Sequence, residues 1–223
     1  MSGAIVFDLD GTLVDSAADL HAAGNRMLAE FGFDPLTLAQ VKSFIGHGIP
    51  NLVTRMMQAQ GAPEADHAAM TKAMLRHYSA HPADLTRPYP GVIDTLRALH
   101  AAGHPLGLCT NKNHAPTLQI LDALDIGKYF DVVIGGDSLP LRKPDPAPLR
   151  MAFAALDAAP LVYVGDSEVD SEAAQRAALP FALFTQGYRK GPVAAQLSFD
   201  DWARLPALLD QLSCDGQSQM SRI

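Results

Sequence analysis

The chain has 223 residues, of which 48% are hydrophobic and 18% are charged. This length fits one main domain with a sizeable insertion, and no apolar run is long enough to span a membrane. The formal net charge is -7 and the sequence contains no basic run. Because binding to a nucleic-acid backbone needs clustered Lys and Arg, we expect neither a nucleic-acid partner nor a membrane role.

The beginning of the chain leads directly into an apolar run, without the basic start and long apolar stretch of a secretory signal. The cytoplasm is therefore the expected location. The two cysteines, Cys109 and Cys214, give no disulfide framework and no metal-ligand spacing. Cys109 lies in an apolar segment and is expected to be a small core residue.

Five short apolar runs predict buried strands, at residues 4–9, 105–109, 132–135, 161–164 and 181–184. Four helical patterns alternate with the later runs, at residues 92–102, 114–124, 147–156 and 168–178. Strands that alternate with helices are typical of a parallel sheet covered by helices. The sequence therefore predicts an α/β core.

The long interval between the first two predicted strands has helical patterns throughout. Ser16 is the expected N-cap of the first helix, and further helices are expected at residues 36–44, 51–60 and 63–81. The proline-rich residues 87–91 return the chain to the core. We therefore predict a core of residues 1–15 and 87–223, with an inserted all-α domain at residues 16–86.

Two carboxylates, Asp8 and Asp10, stand at the end of the first predicted strand, where Gly11 lets the backbone turn. The alternative, on these residues alone, is a turn or a helix cap. A second acidic cluster, with Asp166 and Asp170, follows another predicted strand and favours a metal site. Oxygen ligands without a convincing set of His or Cys indicate Mg²⁺ rather than Zn²⁺.

A hydroxyl and a cation accompany these carboxylates. Thr110 and Asn111 follow the second predicted strand, and Lys143 precedes a helical pattern. Such groups suit a site that holds phosphate.

Taken together in chain order, these segments resemble the four signature motifs of the haloacid dehalogenase superfamily. The matching segments are Asp8-Leu9-Asp10-Gly11-Thr12, Thr110-Asn111, Lys143-Pro144, and Gly165-Asp166-Ser167 with Asp170. The resemblance implies a Rossmann-like, parallel, five-stranded sheet in the order 3-2-1-4-5, flanked by helices. It also implies that the inserted helices form a cap domain.

The resemblance implies a role for each matching residue. Asp8 would attack the phosphorus of the substrate, and Asp10 would act as general acid and base. Mg²⁺ would be held by the carboxylates of Asp8 and Asp166 and by the backbone carbonyl of Asp10, with Asp170 behind these ligands. The phosphoryl oxygens would be held by Thr110, the backbone around Asn111, and Lys143.

The presence of Asp10 argues against the dehalogenase branch, which lacks this second carboxylate, and favours a phosphatase. Residues 44–53 resemble the cap loop of bacterial phosphoglycolate phosphatases, which implies that His47 and Gly48 approach the carboxylate of the substrate. A tight turn with an exposed histidine is the alternative.

The expected reaction is Mg²⁺-dependent hydrolysis of 2-phosphoglycolate to glycolate and phosphate through an aspartyl-phosphate. The alternatives are hydrolysis of another small sugar or metabolite phosphate, a β-phosphoglucomutase-like mutase, and a non-catalytic binding module. The expected partner is a small phosphorylated metabolite, and the chain is expected to be a monomer or a homodimer.

Overall fold

The computed structural model of the chain describes residues 2–220, with side chains described as far as residue 212. The strands are β1 (Ala4–Phe7), β2 (Val14–Asp15), β3 (Arg87–Pro88), β4 (Leu106–Cys109), β5 (Val132–Ile134), β6 (Pro160–Gly165), β7 (Phe181–Phe184) and β8 (Leu197–Phe199). The helices are α1 (Ala17–Glu30), α2 (Leu38–Phe44), α3 (Ile49–Gln60), α4 (His67–Ala80), α5 (Val92–Ala101), α6 (His114–Ala123), α7 (Ala147–Ala154), α8 (Glu168–Ala177) and α9 (Leu205–Met220). No helix in this described part is both long and apolar enough to cross a membrane.

The main sheet has six parallel strands in the order β5-β4-β1-β6-β7-β8. Its first five positions hold the five predicted strands in the predicted order. The predicted strand count is wrong by one, because β8 pairs with β7 at the edge of the sheet. The polar Ser198 in the middle of β8 interrupts the apolar run that the other strands show. The α/β class and the parallel sheet are confirmed.

Both faces of the central strands are buried, which explains their uninterrupted apolar runs. Alternate residues of β1 enter two separate clusters: Ile5 and Phe7 pack on one side, and Ala4 and Val6 on the other. Cys109 belongs to the second cluster and is fully buried, as predicted. The side chain of the other cysteine, Cys214, lies outside the described part.

Four helices, α1 to α4, form the segment between β2 and β3, and we call this segment the helical insertion. Its own core contains several methionines, and Gly24 of α1 lies so close to α3 that an added Cβ would be 2.5 Å from the Met56 methyl carbon. At its base, β2 pairs antiparallel with β3. The buried carboxylate of Asp19 accepts bonds from the backbone amides of Leu85 and Thr86, at 3.0 and 2.7 Å. Entry to and exit from the insertion are therefore tied together.

The predicted cap of α1 is corrected by the structure. Ser16 occupies the N-cap position, but its side chain makes no bond to the helix and instead donates to Asp10 Oδ1 at 2.5 Å. The Tyr188 hydroxyl accepts from the backbone amides of Ser16 and Ala17 at 2.9 and 3.1 Å. A distant tyrosine thus replaces the local cap, which leaves Ser16 free to hold Asp10.

Candidate active site

Three neighbouring strands end at one edge of the sheet and bring the predicted site residues together. Asp8 follows β1, Thr110 follows β4, and Asp166 follows β6. Because β4, β1 and β6 are adjacent and parallel, their carboxyl ends open into the same crevice. Gly11 has φ +85°, and an added Cβ would lie 2.5 Å from Asp166 Oδ2. Glycine is therefore required for the loop after β1 to approach the acidic loop.

The carboxylates of Asp8, Asp166 and Asp170 form a buried cluster in which one oxygen from each lies within 4.8 Å of the others. Burial raises the pKa of Asp8 to about 6, although the Lys143 ammonium opposes this shift. Burial, followed by the charges of Asp170 and Asp8, raises the pKa of Asp166 well above its usual value. A cation bound between crowded, desolvated carboxylates of this kind would stabilise their ionised forms.

A hard divalent cation fits this cluster. Asp8 Oδ1 is buried without a hydrogen-bond partner, since Lys143 Nζ lies 3.0 Å away but outside hydrogen-bond geometry. Asp166 is oriented by the Thr12 hydroxyl at 2.8 Å and by the Tyr188 amide at 2.5 Å. Carboxylate oxygens, with no His or Cys in the cluster, are the ligands that Mg²⁺ prefers.

Asp170 accepts more hydrogen bonds from the described residues than either of the other two carboxylates. Oδ1 accepts from Lys143 Nζ and from the Tyr163 hydroxyl, both at 2.7 Å, and Oδ2 accepts from the Ser167 hydroxyl at 2.6 Å. Although burial opposes it, the Lys143 ammonium and these hydrogen bonds hold the pKa of Asp170 below its usual range. These contacts favour the predicted place of Asp170 behind the metal ligands.

Lys143 is buried among groups that need its charge. Burial disfavours the ammonium, but the carboxylates of Asp170 and Asp8 outweigh this effect and raise the pKa of Lys143. The loop that carries it is held by Asn111, whose Oδ1 accepts from the Lys143 amide at 3.0 Å and whose Nδ2 donates to the Lys143 carbonyl at 2.9 Å. The Asn111 side chain is therefore occupied with positioning, and only its backbone is available to a substrate.

Asp10 has a partner that the sequence alone does not indicate. Lys112 Nζ lies 2.8 Å from each Asp10 oxygen and also donates to the Tyr78 hydroxyl at 2.8 Å. Lys112 is buried, as is Tyr78, which belongs to α4 of the helical insertion. The position of Lys112 directly after Thr110-Asn111 is the one local sign in the sequence that it belongs to the site. A lysine at that position equally fits a solvated loop residue.

Two connected spaces lie above the strand ends. The smaller, about 50 Å³, is lined by Asp8, Asp10, Thr110, Asn111, Lys112 and Gly48, and by aliphatic side chains of the insertion, Leu20, Ile45, Ile49 and Leu52. The wider cleft, about 270 Å³, also reaches Asp8 and Asp10 and is lined by Asp166, His47, Glu168 and Lys190. The structure thus places the two predicted cap residues, Gly48 and His47, in different spaces.

Gly48 and His47 meet different environments. Gly48 has φ +80°, and a Cβ there would lie 3.2 Å from both Arg142 Nη1 and the Asn111 carbonyl oxygen. His47 is exposed to solvent at the wider cleft. Partial burial, followed by the charges of Lys190 and Arg55, lowers the pKa of His47. At neutral pH, His47 therefore offers a neutral imidazole for hydrogen bonding.

Comparison with known proteins agrees with this fold. A family model described as haloacid dehalogenase-like hydrolase matches residues 5–184. The chain belongs to this family, which confirms the resemblance seen in the motifs.

Several relatives are named phosphoglycolate phosphatase. The chain is 53% identical over 191 residues to a phosphoglycolate phosphatase of Cereibacter sphaeroides, covering 85% of this chain and 88% of the relative. It is 40% identical over 215 residues to the phosphoglycolate phosphatase of Rhodobacter capsulatus, covering 94% and 98%. A crystal structure of a predicted phosphoglycolate phosphatase from Haemophilus somnus has a TM-score of 0.87 at 31% identity, covering 93% of this chain and 97% of the other.

Proposed function

We propose that the chain is an Mg²⁺-dependent phosphomonoesterase that hydrolyses 2-phosphoglycolate to glycolate and phosphate. The observation that carries the chemistry is the buried cluster of the Asp8, Asp166 and Asp170 carboxylates, in which Asp8 Oδ1 makes no hydrogen bond and lies 3.0 Å from the Lys143 ammonium. The substrate rests on the relatives named phosphoglycolate phosphatase at 53% and 40% identity. These two lines of support are independent, because the first comes from geometry and the second from likeness.

In the proposed reaction, Asp8 attacks the phosphorus and forms an aspartyl-phosphate, which divides the hydrolysis into two steps. Asp10 protonates the departing glycolate oxygen and then takes a proton from the water that hydrolyses the intermediate. Thr110 and the backbone at Asn111 bind phosphoryl oxygens at the end of β4. Lys143, whose ammonium lies 3.0 Å from Asp8 Oδ1, holds a further phosphoryl oxygen and offsets the negative charge around Asp8.

The proposed ligands of Mg²⁺ are the carboxylates of Asp8 and Asp166 and the backbone carbonyl of Asp10. When bound, the ion supplies positive charge that offsets the crowded carboxylates and the phosphoryl group. Asp170 acts through Lys143 and through the acidic loop that carries Asp166.

We propose that residues 16–86 act as a cap on a core made of residues 1–15 and 87–223. In the small cavity, the aliphatic side chains Leu20, Ile45, Ile49 and Leu52 face the catalytic carboxylates. Gly48 contacts the substrate in this cavity, and His47 acts from the wider cleft.

The partner under this proposal is a small phosphorylated metabolite. A cytoplasmic location and a monomeric or homodimeric state stay predictions from the sequence.

The test is phosphate release from a panel of metabolites, with 2-phosphoglycolate, several sugar phosphates and an aryl phosphate, each measured with Mg²⁺ and with a chelator. We expect the highest kcat/KM for 2-phosphoglycolate and loss of release when the metal is removed. Asp8→Asn is the matched control, because it keeps the side-chain volume and removes the nucleophile.

Other outcomes point elsewhere. Mg²⁺-dependent release from a different ester would keep the chemistry and overturn the substrate. Transfer of phosphate between positions of a sugar, without free phosphate, would indicate a mutase. Binding of Mg²⁺ without release from any ester would indicate a binding module.

A further inference from the structure

Lys112 joins the helical insertion to the catalytic edge of the sheet. It stands in the loop after β4, and its ammonium contacts Asp10 after β1 and Tyr78 on α4 at the same time. The ammonium lies 2.8 Å from both Asp10 oxygens and 2.8 Å from the Tyr78 hydroxyl. The Lys112 side chain is 3% exposed, so water does not replace these partners.

The charge states of Lys112 and Tyr78 suit this bridge. Burial disfavours the Lys112 ammonium, but the Asp10 carboxylate and the Tyr78 hydroxyl outweigh it and raise the pKa of Lys112. Burial raises the pKa of Tyr78 to about 12, so its hydroxyl stays neutral. The Tyr78 ring also lies beneath the ammonium, 4.7 Å from Nζ to the ring centroid.

The second partner of Asp10 lies at the other end of the insertion. The Ser16 hydroxyl donates to Asp10 Oδ1 at 2.5 Å from the position just before α1. Asp10 is therefore held between the start of α1, through Ser16, and the last turn of α4, through Lys112 and Tyr78. Its side chain has no comparable contact to a neighbouring strand in the described residues.

We propose that Lys112 is a positioning residue that makes the placement of Asp10 depend on the docking of α4 through Tyr78. When α4 lies against the core, the Tyr78 hydroxyl fixes the Lys112 ammonium, and the ammonium fixes the Asp10 carboxylate in the small cavity. Without the Tyr78 contact, Lys112 and Asp10 gain rotational freedom, and the proton donor is misplaced. This inference rests on the proposed role of Asp10 as acid and base.

The dependence on leaving group provides the test. Glycolate is a poor leaving group that needs a proton donor, whereas p-nitrophenolate leaves without one. The variants are Lys112→Met, which removes the ammonium, and Tyr78→Phe, which removes one hydroxyl and keeps the ring. Each is assayed for kcat and KM with 2-phosphoglycolate and with p-nitrophenyl phosphate in saturating Mg²⁺.

A well-placed general acid contributes about 10²- to 10⁴-fold, so we expect Lys112→Met to lower kcat/KM for 2-phosphoglycolate by about 10²-fold. The loss of kcat/KM with p-nitrophenyl phosphate should be less than about 10-fold, because this ratio reports the formation of the aspartyl-phosphate, where p-nitrophenolate leaves without a proton. Tyr78→Phe should lower kcat/KM for 2-phosphoglycolate by about 10-fold, with KM nearly unchanged. If Lys112→Met does not fold, Tyr78→Phe carries the test alone.

Two matched controls separate the bridge from general effects. Lys72→Met removes an exposed ammonium from the same helix, α4, and Tyr129→Phe removes a tyrosine hydroxyl far from the site. Both should retain wild-type kcat with both substrates. The thermal unfolding of all four variants is measured in parallel.

The proposal is overturned if Lys112→Met lowers kcat/KM equally for the two esters, which is the result of a purely structural role. It is also overturned if KM for 2-phosphoglycolate rises at constant kcat, which would assign Lys112 to substrate binding. The variant Asp10→Asn tests the acid role of Asp10 separately from the positioning role of Lys112. If Asp10→Asn itself fails to discriminate between the esters, the proposed acid role of Asp10 is wrong.

A double variant gives the sharpest result. Since Lys112 acts through Asp10, adding Lys112→Met to Asp10→Asn should produce no further loss with 2-phosphoglycolate. Independent, multiplicative losses would show that Lys112 acts by another route and would overturn the inference.

Discussion

The catalytic edge of the sheet and the seam between the helical insertion and the core are built in different ways. At the edge, parallel strands place Asp8, Thr110 and Asp166 together through the backbone alone. At the seam, side chains meet across distant parts of the chain, as when Asn111 Nδ2 donates to the Gly46 carbonyl, 65 residues away, at 3.3 Å. Changes at the edge should therefore affect the chemistry, whereas changes at the seam should affect its alignment and selectivity.

The largest expected effect belongs to the edge. Asp8→Asn keeps the volume of the side chain and removes the nucleophile, so we expect kcat to fall by more than about 10⁴-fold. Phosphate release in saturating Mg²⁺ measures the change, and an unchanged thermal unfolding transition serves as the control. Retained turnover would contradict the proposed covalent route.

The second effect is on stability and concerns the same edge. Lys143→Met leaves Asp8 and Asp170 without their buried cation, because Lys143 Nζ lies 3.0 and 2.7 Å from their oxygens. Removing one partner of a buried ion pair typically lowers the free energy of unfolding by about 3–5 kcal/mol. Urea unfolding without metal measures the loss. Lys128→Met, which removes an exposed lysine paired with Asp125, should be close to wild type, and a similar loss in both variants would argue against this account.

The third effect concerns Mg²⁺ itself. A ligand that binds only the folded state stabilises it by about 2.7 kcal/mol at a concentration 100 times its Kd. We expect Mg²⁺ to raise the midpoint of thermal unfolding in the wild type and a chelator to reverse the shift. Asp166→Asn should abolish the response, while Asp94→Asn, at an exposed carboxylate of α5 paired with Arg97, should retain it. An equal response in the two variants would place the ion elsewhere.

The same contrast explains what the sequence predicts well. Asp8, Asp10 and Asp166 stand directly after uniform apolar runs, and parallel strands bring such positions together whatever the surrounding side chains are. The strand order of the five longer runs is confirmed for the same reason. The edge strand β8 escapes prediction because the exposed Ser198 lies between Leu197 and Phe199 and interrupts the apolar run.

The seam could not be predicted because its contacts depend on tertiary packing. A lysine after Thr110-Asn111 carries no local sign that it is buried, and Tyr78, its partner, is 34 residues earlier in the chain. Ser16 is a reasonable helix cap on local grounds, yet the Tyr188 hydroxyl takes that role from 172 residues away. In both cases the decisive contact comes from a remote segment of the chain, which local sequence patterns do not reveal. At Ser16 this remote contact replaces the predicted local cap.

The smallest expected effect tests the selectivity of the seam at His47. This side chain is exposed at the wider cleft, near Lys190, and its lowered pKa makes it a neutral hydrogen-bonding group at neutral pH. We expect His47→Ala to raise KM for 2-phosphoglycolate by a few-fold, with kcat nearly unchanged. The effect is small because a hydrogen bond to a charged group contributes about 1.5–3 kcal/mol, and less when it is exposed to water. KM for p-nitrophenyl phosphate, which lacks the carboxylate, should not change.

His81→Ala, at an exposed histidine paired with Asp84 after α4, is the matched control. An equal rise in KM for both esters would mean that the loop of Gly46 to Gly48 closes the site without selecting the substrate, and selectivity would then come from the aliphatic walls of the small cavity.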